Sequence, residues 1–115
     1  MMNNYFIILA SGQSKRFNSK KPKQFITYKN KALFEHSLDK AISSKLFKKI
    51  ILVVMNKNQI KKKYGKNVII IKGGKERSDS SLIALKYIKK FKPNNVLIHD
   101  AARPNFSIKL LKKLI

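Results

Sequence analysis

The sequence predicts an α/β fold, a mostly parallel sheet with helices on both faces. Three observations predict it. Short apolar runs recur at residues 5–9, 50–55, 68–71 and 96–99. They are continuous rather than alternating, the pattern of strands buried on both faces. Between them lie stretches whose apolar residues repeat at helical spacing. The chain has 115 residues and 43% hydrophobic content, which suits one domain with a core.

The elements follow in order. Residues 5–9 form the first buried strand. Residues 10–24 carry Ser, Gly, Asn, Lys and Pro without apolar period and read as a long loop. Loops of that length in compact domains usually carry function. Residues 32–44 place Leu33, Phe34, Leu38, Ala41 and Ile42 on one helix face. Residues 50–55 form the second strand. Residues 57–64 predict a short polar helix capped by Gly65. Residues 68–71 form the third strand, broken by Gly73-Gly74. Residues 79–91 place Leu82, Ile83, Leu85, Ile88 and Phe91 on a helix face, with Ser78 as candidate N-cap. Residues 96–99 form the fourth strand, and residues 107–115 open a further helix. No internal repeat or interdomain linker interrupts this series.

Composition narrows the function. Without cysteine, a disulfide scaffold, a thiolate zinc site and a cysteine nucleophile are all excluded. The apolar run from Tyr5 to Ala10 is too short for a membrane span or a signal peptide core, so a soluble cytoplasmic protein without membrane partners is expected. The net charge is +22. Such a charge attracts polyanions, including nucleic acid and phosphorylated substrates. Only Arg16, Arg77 and Arg103 are arginine, however, and the rest of the basic residues are lysine. Nucleic-acid surfaces lean on arginine. An excess of Lys, Ile and Asn is also what an AT-rich coding sequence gives. Lys61-Lys62-Lys63 is the one tight basic run and reads as a solvated face.

Right-handed crossovers between parallel strands put every strand's C-terminal end on one edge of the sheet. Ligands bind outside that edge. The loop after strand one, the segment from Gly73 to Ser80 after strand three, and the segment from Asp100 to Pro104 after strand four all meet there. Each has a chemical reading. Ala10-Ser11-Gly12-Gln13-Ser14 offers small residues and free amides suited to phosphate oxygens, and Arg16 and Lys23 add positive charge. Fixed charge near a transferring phosphoryl group is the main device of phosphoryl chemistry. Gly73-Gly74 permits a tight turn and close contact with a flat base. Asp100 offers a carboxylate to a ribose hydroxyl or Mg²⁺. Each segment also has a plainer reading: a mobile basic loop, a strand-to-helix turn capped by Ser78 or Asp79, and an Asp paired with Arg103. His99 reads as a strand-end histidine satisfying its own hydrogen bonds before it reads as a base. His36, on a predicted helix, reads as structural or exposed.

Together the three segments resemble the 2-C-methyl-D-erythritol 4-phosphate cytidylyltransferase family of the non-mevalonate isoprenoid pathway. The matching text is Ala-Ser-Gly-x-Ser-Lys-Arg with Pro-Lys-Gln-Phe, then Gly-Gly-x-Glu-Arg-x-Asp-Ser, then His-Asp-Ala-Ala-Arg-Pro, in the family's order and near its spacing. Leu-Phe-Glu-His-Ser, from Leu33 to Ser37, resembles the family's first helix. His-Asp-Ala-Ala-Arg-Pro is the most specific piece and favours this family over the ribitol 5-phosphate cytidylyltransferases.

The resemblance implies a Rossmann-like nucleotidyltransferase fold. It implies a reaction that joins CTP and methylerythritol phosphate, with Mg²⁺ on the triphosphate and pyrophosphate released. The substrate phosphate attacks the α-phosphorus directly, so no protein nucleophile is needed. By position, Arg16 and Lys23 match the residues that stabilise the transition state. Ala10, Ser11, Gly12 and Ser14 match the loop around base and triphosphate. Gly74, Lys75 and Ser80 match the cytosine-reading turn. Asp100 and Ala101 match the ribose and metal side.

The chain departs from the family's usual Ala-Ala-Gly-x-Gly at Ser11 and Ser14, and Lys75 stands where an acidic or other polar residue is common. Family enzymes are also about twice as long. Their second half supplies a further basic residue, much of the acceptor pocket and an arm that builds a homodimer. Residues 1–115 are therefore expected to be the N-terminal, CTP-binding part of a truncated, split or fused enzyme, with CTP binding at best and little or no turnover. Two alternatives stay open: a small basic nucleic-acid-binding protein, and a related cytidylyltransferase using another polyol phosphate.

Overall fold

The computed structural model describes residues 3–11, 27–28, 31–57, 60, 64–74 and 77–100. The main strands are β1 (Asn4–Ala10), β4 (Lys49–Val54), β5 (Val68–Lys72) and β6 (Asn95–Asp100). Two short strands, β2 (Thr27–Tyr28) and β3 (Lys31–Ala32), form a separate antiparallel pair. The helices are α1 (Leu33–Ser44) and α2 (Arg77–Ile88).

The sheet runs β5-β4-β1-β6, and every pairing in it is parallel. β1 is central and buried along its whole length. Its alternate side chains feed two cores, as the two-residue period of a strand requires. Phe6, Ile8 and Ala10 join Ile50, Leu52 and Val54 under Phe34, Leu38 and Ala41 of α1. Tyr5, Ile7 and Leu9 join Ile51 and Val53 under Ala84 and Ile88 of α2. The helices thus cover opposite faces. From β1 the chain moves through α1 to β4, and from β5 it returns through α2 to β6. Crossovers of one hand that travel in opposite directions must place their helices on opposite faces.

The two helices bury less apolar surface than their sequence suggests. On α1, Phe34, Ser37, Leu38 and Ala41 are buried, but Ile42 is exposed. On α2 the buried face is Ser80, Ala84 and Ile88, a spacing of four, while Leu82, Ile83 and Leu85 stay exposed and Phe91 is half-buried. Small residues on the inner face bring the first turn of α2 close to the sheet, which positions the site described below.

The ends of α2 also differ from expectation. The helix starts at Arg77, so Ser78 and Asp79 lie inside its first turn rather than ahead of it. Asp79 there complements the positive end of the helix dipole. At the other end the α-helix stops at Ile88 and tightens into a 3₁₀ turn, Lys89–Phe91. Lys92 then adopts a left-handed backbone, φ 50°, and its N–H bonds to the Lys89 carbonyl at 3.1 Å. Lys92 precedes Pro93, and a residue before proline is driven out of the helical region. Of the helix expected over 57–64, the described residues show a turn at Lys57, whose carbonyl accepts the Ile60 N–H at 3.1 Å. Ile60 and Tyr64 are not helical; both pack against the α1-side core. Burial pushes the Tyr64 phenol up to about 12, helped by the negative charges of Glu35 and Asp39. Gly65 opens a turn closed by Val68 N–H on its carbonyl, rather than capping a helix. The helix expected over 107–115 lies outside the described residues.

At the N-terminal edge of the sheet four asparagines interlock. Asn4 is buried. Its Nδ2 donates to the Leu46 carbonyl at 3.3 Å, and its Oδ1 accepts from Asn95 Nδ2 at 2.9 Å. The Asn3 N–H donates to Asn94 Oδ1 at 2.7 Å, and the Asn94 N–H returns a bond to the Asn3 carbonyl at 2.8 Å. These bonds tie the starts of β1 and β6 together. A cavity of about 330 Å³ lies near this end, lined by Leu85, Lys86, Ile88, Lys89, Pro93 and Val96. It is on the far side from the strand exits that the sequence singles out.

Candidate functional site

The opposite edge gathers the exits of β1, β5 and β6, as the parallel topology requires. Ala10 closes β1 in register with Val54, and Leu9 is in register with Asp100 at the end of β6. The chain leaves β1 toward β4 and β5 on one side and reaches β6 on the other. Open α/β sheets bind ligands at such a reversal.

Ser11 follows β1 directly and is buried. Its hydroxyl lies 2.6 Å from that of Ser80, the fourth residue of α2 and itself fully buried. Ser80 Oγ accepts the Gly74 N–H at 3.1 Å and lies 3.4 Å from the Gly74 carbonyl. Gly73 extends the β4–β5 ladder with its N–H on the Val54 carbonyl at 2.8 Å. One hydrogen-bonded cluster therefore joins the end of β1, the end of β5 and the start of α2.

The glycines are fitted to this cluster. A Cβ on Gly73 would stand 2.5 Å from Ser80 Oγ, 2.7 Å from Val53 Cγ1 and 2.9 Å from Ser11 Oγ. A Cβ on Gly74 would stand 2.5 Å from Asp79 Cβ. Neither glycine has a positive φ. The positions need an absent side chain, not a left-handed backbone. The close contact visible here is with Ser11, Ser80, Val53 and Asp79. The family resemblance assigns a role to Gly74 and not to Gly73, which the sequence reads only as half of a tight turn. The available signal was a glycine directly after an apolar strand, which marks close backbone approach.

Asp100 is half-buried at the end of β6. Among the described residues no group of three His, Cys, Asp or Glu side chains is placed to hold a metal. A transition-metal cage is not formed by them. Magnesium asks for less: one or two carboxylates, phosphate oxygens and water. Asp100 fits that lesser demand. His99 is half-buried one residue earlier, on the α1 side, with its ring centroid 6.0 Å from that of Phe6. His36 is half-buried on α1.

Of the residues singled out from sequence, Ala10, Ser11, Gly74 and Ser80 converge on this cluster and its margin, with Asp100 on the neighbouring strand. Gly12, Ser14, Arg16, Lys23, Lys75 and Ala101 lie outside the described residues. The cluster itself is suited to binding. Both serines are buried and bonded to each other, which is not how an activated nucleophile is held. Small side chains and close-packed backbone at a sheet edge let a ligand approach the main chain.

Among the described residues no helix is long and apolar enough to cross a membrane. The family model for 2-C-methyl-D-erythritol 4-phosphate cytidylyltransferase matches residues 5–115. The chain is 58% identical over 116 residues to a bifunctional IspD/IspF enzyme of Pelagibacter ubique, covering 99% of this chain and 31% of that protein. It is 37% identical over 116 residues to a 2-C-methyl-D-erythritol 4-phosphate cytidylyltransferase of Thermotoga neapolitana, covering 97% of this chain and 52% of that one. The fold superposes on the bifunctional IspDF structure from Campylobacter jejuni with a TM-score of 0.79 and 34% identity, over 97% of this chain and 29% of that one. The chain thus spans between about a third and a half of the length of these relatives. The match along nearly all of its residues, and the shared Rossmann-like parallel sheet, establish that this chain belongs to the 2-C-methyl-D-erythritol 4-phosphate cytidylyltransferase family.

Proposed function

We propose that the chain supplies the CTP-binding part of a cytidylyltransferase. The complete enzyme makes 4-diphosphocytidyl-2-C-methylerythritol from CTP and 2-C-methyl-D-erythritol 4-phosphate in isoprenoid precursor synthesis. The observation that carries this reading is the convergence of the Ser11, Gly73–Gly74 and Asp100 segments at one sheet edge, within a chain whose family match runs from residue 5 to 115.

In the reaction a phosphate oxygen of the acceptor forms a bond to the α-phosphorus of CTP. The bond from that phosphorus to the bridging oxygen breaks, and pyrophosphate leaves with the electron pair. The protein's task is to hold the phosphates in line and offset the charge that develops on them. Arg16 and Lys23 take that task. By their positions in the family's motifs, Ala10, Ser11, Gly12 and Ser14 are assigned to the triphosphate and base, Gly74, Lys75 and Ser80 to the cytosine, and Asp100 and Ala101 to the ribose. Asp100 is also the residue that would hold Mg²⁺, which shields triphosphate charge when bound. The reading includes a cytoplasmic location and a homodimer for the complete enzyme.

The test is binding of CTP, UTP, ATP and GTP in the presence of Mg²⁺, at salt high enough to screen surface charge. Saturable preference for CTP, weakened about tenfold or more by Lys23→Ala, is expected. Equal, salt-sensitive binding of all four nucleotides would contradict the reading and turn attention to the +22 charge and nucleic acid.

A further inference from the structure

We propose that the flank of α2 that faces β6 seats residues 107–115, and that this seating fixes the Asp100–Pro104 segment at the open edge of the sheet. The second half of the proposal rests on the CTP-site reading above; the first half stands without it.

Among the described residues β6 pairs with β1 alone, so it forms one edge of the sheet. Val96 packs into the α2-side core and Leu97 against the α1-side core, which places Ile98 on the α2 side. Ile98 is exposed there. Leu85 of α2 lines one cavity with Ile88, Pro93 and Val96, which identifies the flank of the helix that looks toward β6. Leu82 lies one turn earlier on that flank and is 52% exposed. Of the five large hydrophobic side chains exposed among the described residues, Leu82, Leu85 and Ile98 thus share one face. Exposed apolar residues gathered in this way mark a contact surface, whereas scattered ones do not.

Topology and sequence name the occupant. The crossover from β5 through α2 to β6 places its helix on this face. The inner side of β6 is taken by β1, so a chain that extends the sheet from β6 moves outward, in the same direction as that crossover. A right-handed connection then sets the next helix on the same face, beside α2 and over β6. Residues 107–115, outside the described residues, carry the matching pattern. On a helical wheel Ile108, Leu110, Leu111, Leu114 and Ile115 fall on one half, and Lys109, Lys112 and Lys113 on the other. The apolar half suits the open flank, and the lysine half suits water. Nine helical residues span about 14 Å. The strand from Val96 to Asp100 spans about 13 Å. The segment therefore matches the exposed face in length, from the site edge down to the cavity. Six residues, 101–106, join it to the end of β6. A connector that short is held at both ends once the segment is seated, which sets the direction of Asp100 and its neighbours before a ligand arrives.

The chain has no cysteine, so an introduced pair reports without background. Leu111→Cys is combined in turn with Leu82→Cys, Leu85→Cys and Ile42→Cys, and each variant is treated with a mild oxidant. Ile42 is exposed on α1, which covers the opposite face, and serves as the control. A disulfide forms only where the two Cα atoms come within roughly 7 Å. The expected result is a disulfide within one chain at Leu82 or Leu85 and none at Ile42, read by non-reducing electrophoresis and the mass of the linked peptides. No link to α2, or equal linking to Ile42, would overturn the seating. Links between two chains would overturn it too and make the face an interface between copies. CTP titration tests the second half. Leu111→Asp should weaken CTP binding about tenfold, as if the seated form fell to about a tenth, while Leu111→Ile leaves it unchanged. Unchanged CTP affinity in a folded Leu111→Asp chain would overturn the positioning. Should that variant not fold, the oxidised Leu82→Cys, Leu111→Cys chain decides. It should bind CTP at least as tightly as its reduced form, and weaker binding would overturn the positioning. A wild-type chain without CTP preference would sink the CTP-site reading and the positioning together, and the disulfide would still judge the seating.

Discussion

The two ends of β1 solve opposite problems with different residues. At its N-terminal end, Asn3 and Asn4 reach across to Asn94, Asn95 and Leu46 with side-chain and backbone bonds. At its C-terminal end, Ala10 and Ser11 are small, and the nearest turn is made of two glycines. Amides long enough to span between segments close the first end. Small residues at the second leave the main chain approachable, and the Ser11–Ser80 hydroxyl pair ties the end of β1 to α2. A parallel sheet gathers its strand exits at one edge, so the edge that binds must stay open and the other is free to be tied shut.

The comparison can be broken most sharply at Gly73. Gly73→Val should destabilise the fold by about 3 kcal/mol, since its side chain would press on Ser80, Val53 and Ser11. Chemical denaturation would measure it, and a loss below about 0.5 kcal/mol would mean that the cluster yields easily. Asn4→Ala comes next. It leaves the Asn95 amide and the Leu46 carbonyl without their buried partner and should cost about 2 kcal/mol. Nucleotide preference should not change, because the lesion is at the tied end. If it did change, the two ends would not be separable.

A third test avoids both ends. Tyr64 packs on the α1 side, and its phenol is pushed up to about 12 by burial and by Glu35 and Asp39. The folded state therefore keeps the phenol proton at a pH where the unfolded chain loses it. The stability this contributes is fully present below about pH 10 and declines as pH rises toward 12. Comparison with Tyr64→Phe by urea unfolding from pH 8 upward isolates this from lysine titration. The difference in stability between the two should shift in favour of the variant above pH 10. The smallest effect is expected at Gly65, where a Cβ would meet nothing within 4 Å. Gly65→Ala should change stability by under about 1 kcal/mol, and toward stabilisation.

Sequence pattern reaches some of this comparison and not the rest. The four long strands are legible because each is a continuous apolar run ended by turn residues, and their parallel order follows from the helices between them. That much already places Ser11, Gly73 and Asp100 at one edge. The inner face of α2 was hidden because the sheet takes Ser80 and Ala84 rather than Leu82 and Leu85. Residue hydrophobicity points outward there, and tertiary packing overrides it. β2 and β3, two residues each, have no period to detect. Both clusters at the ends of β1 join residues far apart in the chain. Asn4 and Asn95 are 91 positions apart, and Ser11 and Ser80 are 69. Such pairs become visible only when strand order and register are fixed. The motif text marked Ser11 and Ser80 as site residues without showing that they bond to each other.

The central claim is that one end of β1 binds nucleotide and the other end holds the fold. Titration of CTP into ¹⁵N-labelled protein, followed by amide chemical shifts, tests it most directly. The amides of Ser11, Gly73, Gly74 and Asp100 should move with one saturable affinity, while those of Asn3, Asn4, Asn94 and Asn95 stay in place. Shifts spread over lysine-rich surfaces, or concentrated at the asparagine end, would contradict the account.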